Sequence, residues 1–104
     1  LKLVPRPKHT RLAVLEFGSV ASAMESVTPI LTREPSAVEL IDSMIIELAR
    51  KLPGLGRRLT FTEEDPEALL VVEFYGDTEA EAEKKTRGLA AFLRERGIGC
   101  GVTY

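Results

Sequence analysis

The hydrophobic pattern changes period several times along the chain, and each change marks an element. Arg11 to Phe17 is apolar at nearly every position and reads as a strand covered on both faces. Ser19 is a candidate N-cap, and Val20, Ala23, Met24, Val27 and Leu31 follow at helical spacing, so 20–31 reads as an amphipathic helix. Pro29 lies late in it and is expected to kink or fray the last turn. Ser36 to Ile41 reads as a short second strand. Asp42 or Ser43 can cap a second helix over 43–52, with Ile41, Met44, Ile45, Leu48, Ala49 and Leu52 as its apolar stripe, a Glu47–Lys51 pair on its surface, and Pro53-Gly54 as its stop.

A polar connection over 53–67 carries Arg57 and Arg58. Ala68 to Tyr75 is the most apolar run in the chain and reads as a central strand. Thr78 and Glu81 form a T-x-x-E capping box. The helix it opens, 79–96, presents Ala82, Leu89, Ala90, Phe92 and Leu93, with a Glu81–Lys85 pair outside and Gly97 as its C′ residue. Ile98 to Tyr104 reads as a glycine-rich edge strand.

Without the middle helix the order is βαββαβ. The expected fold class is therefore α+β, a ferredoxin-like sandwich with an extra helix between strands 2 and 3. Its antiparallel sheet order is 4-1-3-2, with the two most apolar strands in the centre. Leu15-Glu16-Phe17 and Val72-Glu73-Phe74 each close a strand before a turn and a helix, a weak internal repeat in keeping with the pseudo-twofold of that fold.

Composition narrows the choices. The chain has 104 residues, 14 Lys and Arg against 16 Asp and Glu, and a net charge of −2. That is one domain with no basic excess to form a nucleic-acid surface. No apolar run approaches the ~20 residues of a membrane span. One cysteine excludes an internal disulfide and fits a reducing, cytoplasmic compartment. The chain does not begin with Met, and it closes on what reads as the middle of a strand, so a truncated domain of a longer protein is expected. Residues 1–9, with Pro5 and Pro7, read as an exit segment from a preceding domain and 10–104 as the domain itself.

Chemistry is sparse. Glu16, Glu39 and Glu73 sit inside apolar strands, and by the period of two they share the face of the sheet opposite the helices. A face mixing carboxylates with aliphatics is either solvated, or an interface or pocket wall. His9 has no second ligand at metal spacing, and Cys100 has no visible base, so no metal or catalytic residue is assigned. Gly97 to Gly101 opens no helix and is rejected as a phosphate loop. Arg57-Arg58 is either solvent-facing or an anion contact.

In order and spacing, several short motifs resemble the C-terminal, cap-type domain of FAD-linked oxidases, the family of glycolate oxidase FAD subunits and D-lactate dehydrogenases. They are the Leu1-Lys2-Leu3-Val4-Pro5-Arg6-Pro7 exit, Phe17 before a helix with Ala23, Pro35-Ser36-Ala37-Val38-Glu39-Leu40-Ile41-Asp42, and Pro66 to Phe74 with Gly76-Asp77. The resemblance implies an enzyme that oxidises a 2-hydroxy acid by hydride transfer to FAD. The flavin would lie mostly in the preceding domain, with this piece forming part of the cap, itself non-catalytic and binding no FAD alone. It implies as partners the FAD-binding domain of the same chain and a small 2-hydroxy acid. The isolated piece has a route to a homodimer through its open face, and the resemblance leaves room for a place at the inner face of the membrane. Nothing here matches the family's substrate-carboxylate Arg or its later His residues. The competing reading is a free-standing ferredoxin-like module, ACT-like, that binds a small ligand or dimerises. The long arm over 53–67 counts against it.

Overall fold

The computed structural model describes residues 9–52 and 66–104. The exit segment ahead of His9 and Arg57-Arg58 lie outside the described residues. The elements are β1 (His9–Phe17), α1 (Val20–Leu31), β2 (Ala37–Asp42), α2 (Ser43–Arg50), β3 (Ala68–Gly76), α3 (Glu79–Glu95) and β4 (Gly101–Thr103). They build one four-stranded sheet, β2-β3-β1-β4, in which every pairing is antiparallel. This is the expected α+β arrangement, with β1 and β3 in the centre and a helix inserted between β2 and β3.

β1 and β3 pair along nine residues each, from His9 opposite Gly76 to Phe17 opposite Ala68. Alternate positions of both strands face the helices. Ala13, Leu15 and Phe17 meet Ala68, Leu70, Val72 and Phe74, and α1 and α3 close over them with Ala23, Ile30, Leu89 and Leu93. Each large side chain buried there contributes about 2 kcal/mol. β1 starts two residues earlier than its apolar run, because His9 and Thr10 pair with Gly76 and Tyr75 although their side chains are not apolar.

The helix faces differ from the sequence expectation. On α1 the buried positions are Ala23, Ser26 and Ile30, whereas Val20, Met24 and Leu31 are exposed. On α3 they are Ala82, Thr86, Leu89 and Leu93. Ser26 and Thr86 rest in the core because each hydroxyl donates to the carbonyl four residues back, Ser26 to Ser22 at 2.8 Å and Thr86 to Ala82 at 2.7 Å. A hydroxyl satisfied on its own helix carries little burial cost, so polarity here does not mark the outer face. Pro29 does not break α1. The helix runs to Leu31 and closes with tighter bonds from the amides of Thr32, Arg33 and Glu34 to the carbonyls of Pro29, Ile30 and Leu31.

The N-caps hold as expected. The Ser22 amide donates to Ser19 Oγ at 3.1 Å and the Glu81 amide to Thr78 Oγ1 at 3.1 Å. Glu81 returns the bond to the Asp77 amide, one residue before the cap, and pairs with Lys85 at 3.3 Å. The Asp77 N–H first, then Lys85, hold the Glu81 carboxyl below its ordinary pKa. Asp42 caps α2 through the Ile45 amide.

α2 ends at Arg50, two residues short of the expectation, and Lys51 turns back on Leu48. The i,i+4 alignment is therefore lost, and no Glu47–Lys51 ion pair forms. The α2 stripe also fails to become a buried face. α2 packs on the edge strand β2, and Ile46 is its one large side chain buried among the described residues, while Met44, Ile45 and Leu48 are exposed, as is Leu52 beyond it. β4 begins only at Gly101, because Gly97, at φ +71°, closes α3 in the left-handed region and the chain regains an extended ladder only there.

The turn from β3 into α3 depends on Gly76. A Cβ there would lie 2.6 Å from the Ala82 amide nitrogen and 3.0 Å from the Thr78 carbonyl oxygen, both backbone atoms that cannot move aside. Gly76→Ala is expected to destabilise the protein by about 2 kcal/mol, a magnitude typical of overpacking. Gly99→Ala, with nothing within 4 Å of the new methyl, is expected to cost far less. Thermal unfolding of the two variants checks this, and equal shifts in Tm contradict it.

Candidate functional site

Strand register fixes the composition of the face opposite α1 and α3. Side chains directly opposite each other across antiparallel strands point the same way, so three rows can be read across the sheet. The first is Ala37, Glu73 and Leu12. The second is Glu39, Val71, Val14 and Thr103. The third is Ile41, Leu69, Glu16 and Gly101. Glu16, Glu39 and Glu73 thus share one face, each in a different row and on a different strand.

The three are not equivalent. Glu39 is exposed and Glu73 half-buried, whereas Glu16 retains 9% of its surface and its neighbour Leu69 only 2%. The middle of the third row, Glu16 and Leu69, is therefore shut off from water, whereas Ile41 and Gly101 at its ends are half-buried. The accessible part of the face is the end that carries Leu12, Glu39, Glu73 and Tyr75.

The spacing limits the chemistry. Glu39 lies opposite Val71, two residues from Glu73, so this pair is diagonal, at roughly 7–8 Å between Cα atoms. Glu16 lies opposite Leu69, four residues along β3 from Glu73, and a whole strand separates it from Glu39. No two of the carboxylates sit directly opposite one another, the arrangement in which they would most readily share a proton. The face acts as a patterned surface of aliphatic and anionic patches rather than as an acid–base pair.

Other candidates resolve simply. His9 starts β1, half-buried opposite Gly76, and among the described residues no three of His, Cys, Asp and Glu gather to hold a metal. Cys100 is half-buried and packed against the core next to the third row. Burial first, then the negative charge of Glu16, push its thiol pKa above the ordinary value. This is the opposite of the activation that a nucleophilic thiolate needs.

The described residues also line two concavities. One, of about 380 Å³, lies between α1 and the end of α3, lined by Ser22, Glu25, Ser26 and Arg96 to Gly99. The other, of about 290 Å³, lies between β1 and α3 at the β4 edge, lined by Thr10, Arg11, Leu12, Glu83, Thr86, Arg87 and Tyr104. Sequence reading missed both, because each joins residues far apart in the chain. The arginines lining the second are already paired, Arg11 with Glu79 and Arg87 with Glu83.

The fold and this face define an antiparallel α+β sandwich with two helices on one side and a mixed aliphatic and acidic surface on the other. The chain belongs to the family "FAD linked oxidases, C-terminal domain", whose model matches residues 6–103. It is similar to a D-2-hydroxyglutarate dehydrogenase of Pseudomonas putida (strain KT2440), with 26% identity over 98 residues. That alignment takes in 90% of this chain and spans 10% of the length of the relative. Among the described residues no helix is long and apolar enough to cross a membrane.

The link between Glu16 and Cys100 has a measurable consequence. Glu16→Gln removes a negative charge beside the thiol, so Cys100 is expected to titrate at lower pH than in the parent protein. It stays above the ordinary value, because burial is the larger cause. The pH dependence of Cys100 alkylation checks this, and an unchanged midpoint contradicts it.

Proposed function

We propose that this chain is the cap-type portion of an FAD-dependent oxidoreductase that oxidises a small 2-hydroxy acid. The observation that carries the reading is the family match over 6–103, combined with a sheet that keeps one face free of α1 and α3. The name of the relative, a dehydrogenase of a 2-hydroxy acid, supports the substrate class. Glycolate and D-lactate remain in the proposal beside the dicarboxylate that the relative's name carries.

The described residues do not fit the flavin's pyrophosphate. A phosphate cradle needs free N–H groups at a helix N-terminus. Here Ser19, Asp42 and Thr78 each already accept one of those N–H groups, and Glu79 and Glu81 make the first turn of α3 acidic. The proposal therefore assigns the FAD to another part of the polypeptide. It gives this chain the task of covering: the end of the sheet face with Leu12, Glu39, Glu73 and Tyr75 lies against the FAD-binding part or the substrate pocket. Aliphatic side chains there would exclude water, and the carboxylates would set the register of docking. Such a piece has no catalysis of its own, and a homodimer through the same face would form only in its isolation.

The test uses the full-length polypeptide that carries this chain. Mixed anaerobically with glycolate, D-lactate and D-2-hydroxyglutarate, the flavoprotein is expected to lose its visible flavin absorption with at least one of them. Purified protein without flavin, or flavin that none of the acids bleaches, overturns the reading. Glu39→Lys and Glu73→Lys are expected to lower flavin content or turnover several-fold, and unchanged values in both contradict the assignment of the face.

A further inference from the structure

The concavity of about 380 Å³ between α1 and the end of α3 lies on the helix side of the sheet, away from the face with Glu39 and Glu73. Phe17, Pro29 and Ile98 give it an apolar wall. Glu25 and Arg96 are the two charged side chains among the described residues that line it. Both are exposed, and neither makes an ion pair with the other or with any other described residue. Opposite charges that share a concavity without meeting leave room for a ligand between them.

Donors and acceptors are already sorted around it. The Arg96 guanidinium lies over the Phe92 ring at 5.2 Å from its centre, and that of Arg33, just past α1, lies over the same ring at 5.5 Å. A guanidinium held on a ring face keeps its N–H edge free for a forked pair with a carboxylate. Ser26, only 4% exposed, donates its proton to the Ser22 carbonyl at 2.8 Å, so towards the concavity its oxygen can only accept. Ser22 Oγ accepts from Ser19 Oγ at 2.9 Å and keeps its own proton to donate. The lining thus offers acceptors for a cation in Glu25 and Ser26, and donors for an anion in Arg96 and Ser22.

We infer that this concavity binds a free α-amino acid with an aliphatic side chain. Glu25 and Ser26 hold its ammonium, Arg96 and Ser22 hold its carboxylate, and its side chain lies on Pro29 and Ile98. A lone anion would face Glu25, and a lone cation would face Arg96. A metal ion would find a single carboxylate, too few ligands to hold it. A ligand with both charges on neighbouring groups satisfies both ends at once. The charged partners are exposed, so each contributes modestly and the expected Kd is on the order of 1 mM. This inference is independent of the flavin reading.

Ligand-observed saturation-transfer NMR on the full-length polypeptide tests it, with L-leucine as the probe. Isocaproate, which is leucine without its ammonium, and isoamylamine, which is leucine without its carboxylate, are the controls. Leucine is expected to saturate the protein, and each control to bind at least about threefold more weakly. Glu25→Gln and Arg96→Gln are each expected to weaken leucine by at least about threefold, in proteins whose thermal melts show them folded. No saturable leucine signal up to about 20 mM overturns the inference. So does a control that binds as tightly as leucine, since one charge would then suffice. Leucine affinity unchanged in either variant overturns it as well, and assigns the binding to another part of the protein, such as the pocket for the 2-hydroxy acid. None of these readouts uses flavin chemistry, so they stand or fall apart from the oxidoreductase reading.

Discussion

The nine-residue antiparallel pairing of β1 with β3 is the constraint from which the rest of the structure follows. A one-residue slip would move Leu15, Phe17, Leu70, Val72 and Phe74 from the helix side to the other face. The apolar burial under α1 and α3 therefore holds the register, and the register in turn sets where Glu16, Glu39 and Glu73 lie. The two halves of the domain, β1-α1-β2 and β3-α3-β4, repeat one design about this pairing. Each has a hydroxyl N-cap, Ser19 or Thr78, and an alanine buried four residues on, Ala23 or Ala82. Each also buries a hydroxyl, Ser26 or Thr86, that is satisfied on its own helix.

How much of this was legible in the sequence depends on which signal each element carries. The central strands were legible because β1 and β3 are the two nearly unbroken apolar runs in the chain, although Leu12 and Tyr75 on their open face are exposed rather than covered as expected. The topology followed from element order. The shared face of the three glutamates followed from the period of two. The helix faces were less legible, since the outline of α1 was drawn through Met24 and Leu31 when the core takes Ser26 and Ile30. Nothing in the residue types distinguishes a serine bonded to its own helix from one bonded to water.

The stripe of α2 misled for another reason. Apolar periodicity shows that a helix has an apolar side, not that this chain supplies what covers it. The unequal burial of the glutamates had no sequence signal either. Glu16 stands in the same strand context as Glu73, yet only Glu16 is buried. That difference comes from tertiary packing at one end of the sheet. The same row holds Leu69 and abuts Cys100, which makes this end of the face structural and leaves the Glu39 and Glu73 end as the surface available to the rest of the protein.

The central claim is that this available end is a covered surface in the intact protein. Carboxylate labelling with a water-soluble carbodiimide, read residue by residue by mass spectrometry on the full-length flavoprotein, tests it most directly. Glu34 and Glu47, both exposed, serve as references. The account predicts that Glu39 and Glu73 label far more slowly than both references in the native protein and at comparable rates once it is unfolded. Native Glu39 and Glu73 labelling as fast as Glu34 and Glu47 would contradict it.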